Sequence, residues 1–221
     1  MTTKNFLKRS YALAVAAIVV SGVSAQGANL INNGSFEFGH FVPDIHDSML
    51  LGVGATDITG WTVQNGGLAW DGPTNPYFLS AADGSYFLDL SGDHNNPPWG
   101  GVVSQTIPTV VGGLYRLSLD LGNSTTWNGK TAVSVAVTAG SASTVFTTGI
   151  PTGRNVWEFK TFNFTATSAN TAISVIGQPA VNVMYIGLDN LSLERVPEPS
   201  TMTLLGGSGL LLLAWRRFRK A

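Results

Sequence analysis

Leu114-Tyr115-Arg116-Leu117-Ser118-Leu119-Asp120-Leu121 alternates without a break. Leu117, Leu119 and Leu121 fall on one side, and Arg116, Ser118 and Asp120 on the other. Successive side chains of a strand point to opposite faces, so this stretch is a strand with one face in a core and one toward water. The same period recurs before and after it. Residues 86–90 (YFLDL) put Tyr86, Leu88 and Leu90 on one face. Residues 131–138 (TAVSVAVT) do so with Val133, Val135 and Val137, and residues 158–165 (EFKTFNFT) set Phe162 and Phe164 opposite Thr161, Asn163 and Thr165. Residues 171–176 and 185–193 repeat the pattern. Turn-forming clusters separate these runs: Gly112-Gly113, Asn128-Gly129, residues 148–153 and residues 168–170. No long stretch here sustains a helical period. Short strands at this spacing predict an all-β sandwich.

The two ends read differently. Residues 1–25 form a secretory signal helix: Lys4, Lys8 and Arg9 are its positive region, residues 11–20 its apolar core, and Val23-Ser24-Ala25 a small-x-small cleavage site before Gln26. The alternative, a retained signal anchor, is disfavoured by the short core and the good cleavage site. Residues 196–221 (VPEPSTMTLLGGSGLLLLAWRRFRKA) have three parts in order. Pro197-Glu198-Pro199 is stiff, because proline fixes its own φ and biases the residue before it toward extended geometry. Residues 202–215 carry no charge and read as a transmembrane helix, although a full span needs roughly 20 apolar residues. Gly206, Gly207 and Gly209 are tolerable there, since in lipid a helix satisfies the backbone. Arg216, Arg217, Arg219 and Lys220 keep the C-terminus cytoplasmic and place Pro197 outside. The alternative, a buried core helix, is disfavoured by four cations directly after the apolar run.

Between these ends, charge is lopsided. The chain has 12 Lys and Arg, but only Arg116, Lys130, Arg154, Lys160 and Arg195 lie outside the signal and the tail. All 13 Asp and Glu fall within residues 37–198, and 12 of them precede the tail, so between the ends five cations face 12 carboxylates, a formal charge of −7. Such a domain lacks the cations that neutralise phosphates and is no nucleic-acid binder. There is no cysteine, which removes a disulfide framework and thiolate zinc sites. Residues 26–195 suffice for one domain with its own core.

Residues 196–221 closely resemble the PEP-CTERM sorting signal of Gram-negative bacteria, with every part in place. The resemblance implies an exosortase as partner, a membrane transpeptidase that cleaves at or near Pro197, Glu198 and Pro199. It implies transient membrane anchoring, and a producer that makes exopolysaccharide and biofilm. The domain carries ordered signatures of its own: NLINNGSFE (29–37), ITGWTV (58–63), DGSYFLDLSG (83–92), GVVSQTI (101–107) and GLDNLSL (187–193). Together they resemble the choice-of-anchor C family, which looks related to a plant cell-wall domain of unknown function. Both resemble galactose-binding-type jelly rolls. The resemblance implies a jelly-roll β-sandwich over residues 26–195, begins it with a first strand at residues 29–37, and implies no particular reaction.

It also implies a structural Ca2+ where first and last strands meet, and so points to Glu37 and Asp189. Calcium takes oxygen ligands of this kind. The alternative has Glu37 paired with a backbone amide or Arg195, and Asp189 in a turn bond with Asn190. Asp44, His46 and Asp47, with His40 nearby, can ligate metal by residue type, but match no ligand spacing and read as a solvated loop. Asp93-His94 reads as a polar turn. No Gly-x-Ser-x-Gly elbow is present.

Sugar binding needs aromatic platforms beside polar groups. Trp99 and Trp127 fall in loops (PPWG, TWN) and are the carbohydrate-binding candidates, whereas Trp61 belongs to a strand and a core. The alternative for both is a lid packed over an open end of the sandwich. The sequence therefore predicts an exported, surface- or matrix-associated, non-catalytic protein that binds polysaccharide. A secreted glycan hydrolase would need a carboxylate pair in a cleft. A self-associating matrix protein would need an exposed sheet edge or apolar patch.

Overall fold

The computed structural model describes residues 27–91, 102–178 and 183–197. The signal helix, the apolar run at 202–215, Glu198, Pro199, Asp93, His94 and Trp99 lie outside the described residues. Among the described residues no helix is long and apolar enough to cross a membrane.

Eleven strands make two antiparallel sheets. They are β1 (Ser48–Leu51), β2 (Thr62–Gln64), β3 (Leu68–Asp71), β4 (Phe87–Asp89), β5 (Val102–Pro108), β6 (Leu114–Asn123), β7 (Ser134–Ala139), β8 (Ala142–Thr147), β9 (Val156–Thr165), β10 (Asn170–Gln178) and β11 (Gly187–Arg195). One sheet runs β1-β3-β4-β11-β6-β9 and the other β2-β5-β10-β7-β8. Neighbours in the sheets are mostly non-consecutive in sequence, which is jelly-roll connectivity rather than a meander. One short helix, α1 (Thr125–Asn128), interrupts the strands.

The alternation at residues 114–121 is realised in β6: Leu117, Leu119 and Leu121 are buried, while Ser118 and Asp120 keep some exposure on the other face. Val133, Val135 and Val137 face them from the second sheet, joined by Ile173 and Val175. Trp70 fills the core fully buried, its Nε1 donating to the Phe36 carbonyl at 3.1 Å. Trp61 is core as expected, but it sits one residue before β2 rather than on a strand.

Residues 29–37 correct the sequence reading: they are turns, not a first strand. Asn33 and Phe36 take positive φ of 53° and 58°, which a strand does not allow. Asn33 makes that turn self-sufficient. Its amide donates to Phe38 O and Thr59 O, its carbonyl oxygen accepts from Phe38 N, and its main-chain carbonyl accepts from Trp61 Nε1.

Candidate functional site

The six-stranded sheet has a core face and an outer face, and the outer face is where the chemistry lies. Register places the residues on it. Ser48 pairs with Asp71, and Asp71 with Phe87; Ala69 pairs with Asp89, and Asp89 with Gly187; Asp189 pairs with Asp120. Four aspartates from β3, β4, β11 and β6 therefore share one side of one sheet, opposite Trp70, Leu88, Leu188 and Leu121. Two glycines open the middle of that face. A Cβ on Gly122 would stand 2.7 Å from the Tyr185 hydroxyl, and one on Gly187 would be closer still. Tyr185 lies across this gap, packed with Leu79 and Phe87 beside Tyr77, Trp127 and Trp157.

Three segments cover the face, each pinned by a polar side chain. The loop between β3 and β4 is held at its far end by two carboxylates. Asp189 Oδ2 accepts from the amides of Ala82 and Asp83, and Glu37 Oε1 from those of Ser85 and Tyr86. Gly84, at φ 69°, lies so close to the Glu37 carboxylate that a Cβ there would collide. Trp157 and Asn155 fasten Ser80 in the middle of the loop. Helix α1 and the segment before β11 are joined through Asn128. Its amide donates to Asn123 Oδ1 and Tyr185 O, and its Oδ1 accepts from Met184 N and Tyr185 N. Ser124 caps the single turn by accepting from Thr126 N. That turn aims Trp127 at the loop, where its Nε1 donates to Tyr77 O at 3.0 Å.

Between the face and its cover lies a cavity of about 170 Å³. Asp71, Asp89, Tyr77, Trp127, Tyr185 and Ser48 line it, with Ser91 and Met184 at one side. Asp89 Oδ1 accepts from Ser91 N and Ile186 N. Burial pushes the Asp89 carboxyl up to about 6, against those two amides. Burial, then the neighbouring Asp89 charge, pushes Asp71 up to about 7, against a Ser48 hydrogen bond. Asp71 is 2% exposed, and its Oδ1 has no hydrogen-bond partner among the described residues.

Of the residues singled out from sequence, Trp127 is in this cavity, half-buried, and it packs edge-on to Tyr77 at 5.7 Å as well as lining the space. It is thus part lid and part wall. Glu37 and Asp189 do meet at one place, but Glu37 belongs to the turn segment and not to a strand. What they hold is a loop. Their oxygens face backbone N–H groups, and Asp189 Oδ1 takes Asn190 N as well. Both Asp189 oxygens and Glu37 Oε1 are thereby satisfied by N–H donors, the bonding that competes with a calcium ion at this place. Among the described residues no three His, Asp or Glu are placed to hold a metal. Asp44 and His46 pair at 3.3 Å on the surface, near the cavity rim. Asp71, Asp89, Tyr77 and Tyr185 were not anticipated. The usable signal was an aspartate at matching parity in two apolar runs, LAWD and FLDL.

Comparison with known proteins places the chain. Residues 29–183 match the family described as Protein of unknown function (DUF642), and residues 195–220 match the PEP-CTERM protein-sorting motif. Halomucin of Haloquadratum walsbyi is 29% identical over 203 residues, covering 87% of this chain but only 2% of that protein. An apo-form cyclase from Fischerella sp. superposes with a TM-score of 0.52 at 16% identity, over 78% of this chain and 97% of that one. TmCBM61, in complex with β-1,4-galactotriose, has a TM-score of 0.39 at 19% identity, over 76% and 98%. At such identities the likeness to the cyclase is one of fold alone. The family match runs from the turns at Asn29 to Val183, just before the segment that closes the cavity, and so the chain belongs to the DUF642 family and carries a PEP-CTERM sorting motif behind that domain.

Proposed function

We propose that this is an exported, surface- or matrix-associated glycan-binding protein without catalytic activity, whose cavity takes a sugar residue and whose tail is processed by an exosortase. The cavity beside Trp127 carries the reading. An engineered cavity of about 150 Å³ holds benzene, so this one suits a single six-membered ring. Trp127 and Tyr77 offer flat apolar walls to the C–H face of a sugar, and Ser48, Ser91, Asp71 and Asp89 offer polar atoms.

The carboxylate pair does not favour hydrolysis. A glycosidase acid and its nucleophile or base must flank the scissile bond. Asp71 and Asp89 rise from adjacent strands into a cavity of about 170 Å³, which has room for one ring and not for a glycosidic bond between two.

The test is binding of the full chain to the producer's own exopolysaccharide. Saturable binding is expected, weakened about tenfold or more by Trp127→Ala with little change in melting temperature. No saturable binding at millimolar sugar would overturn the reading. Calcium is expected to play no part in it: EDTA should leave both melting temperature and affinity unchanged. A fall in either that added calcium reverses would restore the ion at Glu37 and Asp189. A purely structural role has its own support, because the edge strands β8 and β9 expose Val145 and Phe159. It predicts association that grows with concentration in sedimentation, with no sugar bound.

A further inference from the structure

We propose that the cavity selects a protonated amine, and that its ligand is a de-N-acetylated amino sugar, a glucosamine-type residue held with its ammonium against Asp71. The inference rests on the glycan reading and narrows it to a substrate class.

The argument begins with an orphan atom. Asp71 is almost wholly buried, it lines the cavity, and its Oδ1 lacks a partner among the described residues. A buried acceptor left unsatisfied is costly, and a buried charge left unpaired costs more. Ser48 gives the carboxyl one neutral hydrogen bond, but the charged groups around it offer no opposite charge. Asp89 on β4 and Asp44 and Asp47 in the loop before β1 all act on it with the same negative sign. Tyr77 and Tyr185, on the covering loop and on the segment before β11, sit in the field of the same Asp71 and Asp89. His46 is beside Asp44 at the rim, its Nδ1 3.3 Å from that carboxylate. Among the described residues no lysine or arginine lines the cavity. Arg154 is set over the Phe78 ring, 4.9 Å from its centre, and Lys160 is paired with Glu158.

Such a site discriminates by charge. A uronic acid or a sulfated sugar brings a second anion into a negative cavity with no cation to receive it. A neutral sugar can offer a hydroxyl to the protonated carboxyl, but it gains nothing from the opposite charge that an ammonium supplies. An ammonium brings three donors and the opposite charge, which is the strong form of the hydrogen bond. Trp127 and Tyr77 then place the ring, which a free amine or a lysine side chain does not use.

Proton linkage follows. Burial keeps Asp71 protonated through mildly acid pH, with a pKa of about 7. An arriving ammonium favours the carboxylate, so the Asp71 proton leaves to solvent as the ion pair forms. Binding near neutral pH should therefore release protons, and affinity should rise from pH 5 to pH 7.

The experiment is calorimetric titration of the full chain with glucosamine, N-acetylglucosamine, glucuronate and lysine, in two buffers of different ionisation enthalpy. Glucosamine is expected to bind about tenfold tighter than N-acetylglucosamine, the difference between a charge-assisted and a neutral hydrogen bond. Proton release should accompany glucosamine alone. Asp71→Asn should remove the proton release and the preference, leaving glucosamine bound no tighter than N-acetylglucosamine. The wild-type titration decides the matter even where that variant does not fold. Equal affinity for glucosamine and its acetylated form, or tightest binding of glucuronate, overturns the amine inference and leaves glycan binding standing. Lysine bound as tightly as glucosamine overturns the amino-sugar assignment. No binding of any sugar overturns both readings together.

Discussion

Asn128→Leu is expected to lose about 4 kcal/mol of stability and, wherever it still folds, all measurable glycan binding. The side chain is only 3% exposed and makes four hydrogen bonds to groups that have little else to turn to. Leucine has nearly the same volume, so packing is not what fails. Replacement strands the amides of Met184 and Tyr185 and the carbonyl of Tyr185, and takes one of two donors from Oδ1 of Asn123. Each buried orphan costs about 1–3 kcal/mol, partly recovered by relaxation. Asn123 still keeps Ser124 N as a donor, and its own amide still reaches Thr131 O and Thr148 Oγ1, which limits the damage on the β6 side. The segment before β11 has no such reserve. At roughly 2–4 °C per kcal/mol for a domain of this size, the melting temperature should fall by about 10 °C. Trp127→Ala is the necessary comparison. It should weaken binding about tenfold or more without the thermal loss, because in the proposed site Trp127 meets the ligand while Asn128 places Trp127. A normal melting curve for Asn128→Leu would mean that water replaces the asparagine and that the three segments are not held as described.

The strands that were legible in the sequence are those long enough to show a period. Residues 114–121 and 131–138 alternate over eight positions, and their apolar sets are the core. Strands β1 to β4 have only three or four residues each, too few for alternation to stand out from composition. The cavity face is built mainly from those short strands, which is why Asp71 and Asp89 were missed. Trp127 was legible for a local reason: a tryptophan beside Asn128-Gly129 breaks no strand and sits where loops gather. Its partners were not, since the cavity draws on six separate segments between Ser48 and Tyr185. Residues 29–37 failed differently. NLINNGSFE reads as a strand by composition, but Asn33 tolerates positive φ and its side chain bonds the surrounding backbone, a competition that propensity does not capture.

Acidification from pH 8 to pH 5 should stabilise this protein by several kcal/mol, the reverse of ordinary acid denaturation. Burial pushes Asp71 and Asp189 up to about 7, and Asp89 up to about 6, against an unfolded value near 3.8. A carboxyl raised in the folded state holds its proton more tightly folded than unfolded. The native protein therefore binds more protons than the unfolded chain between about pH 4 and pH 7, and stability falls as pH rises through that window. The contribution is complete below pH 4 and lost above pH 7. For Asp71 alone the shift corresponds to about 4 kcal/mol. The three do not simply add, because ionised Asp89 is itself part of what raises Asp71. Glu158 and Asp44 are lowered instead, so they destabilise on acidification, but only near and below their ordinary values and outside this window. Thermal melts across pH 5 to pH 8 should show the melting temperature highest at pH 5, by roughly 10 °C. Asp71→Asn should flatten that slope by about a third, because an amide stays neutral throughout. A melting temperature that rises from pH 5 to pH 8 would mean that these carboxylates are ionised and paired in the folded protein. Glucosamine gives the last discrimination. If an ammonium neutralises Asp71, saturating ligand should raise the melting temperature most near pH 7, where the empty cavity is least stable, and far less at pH 5.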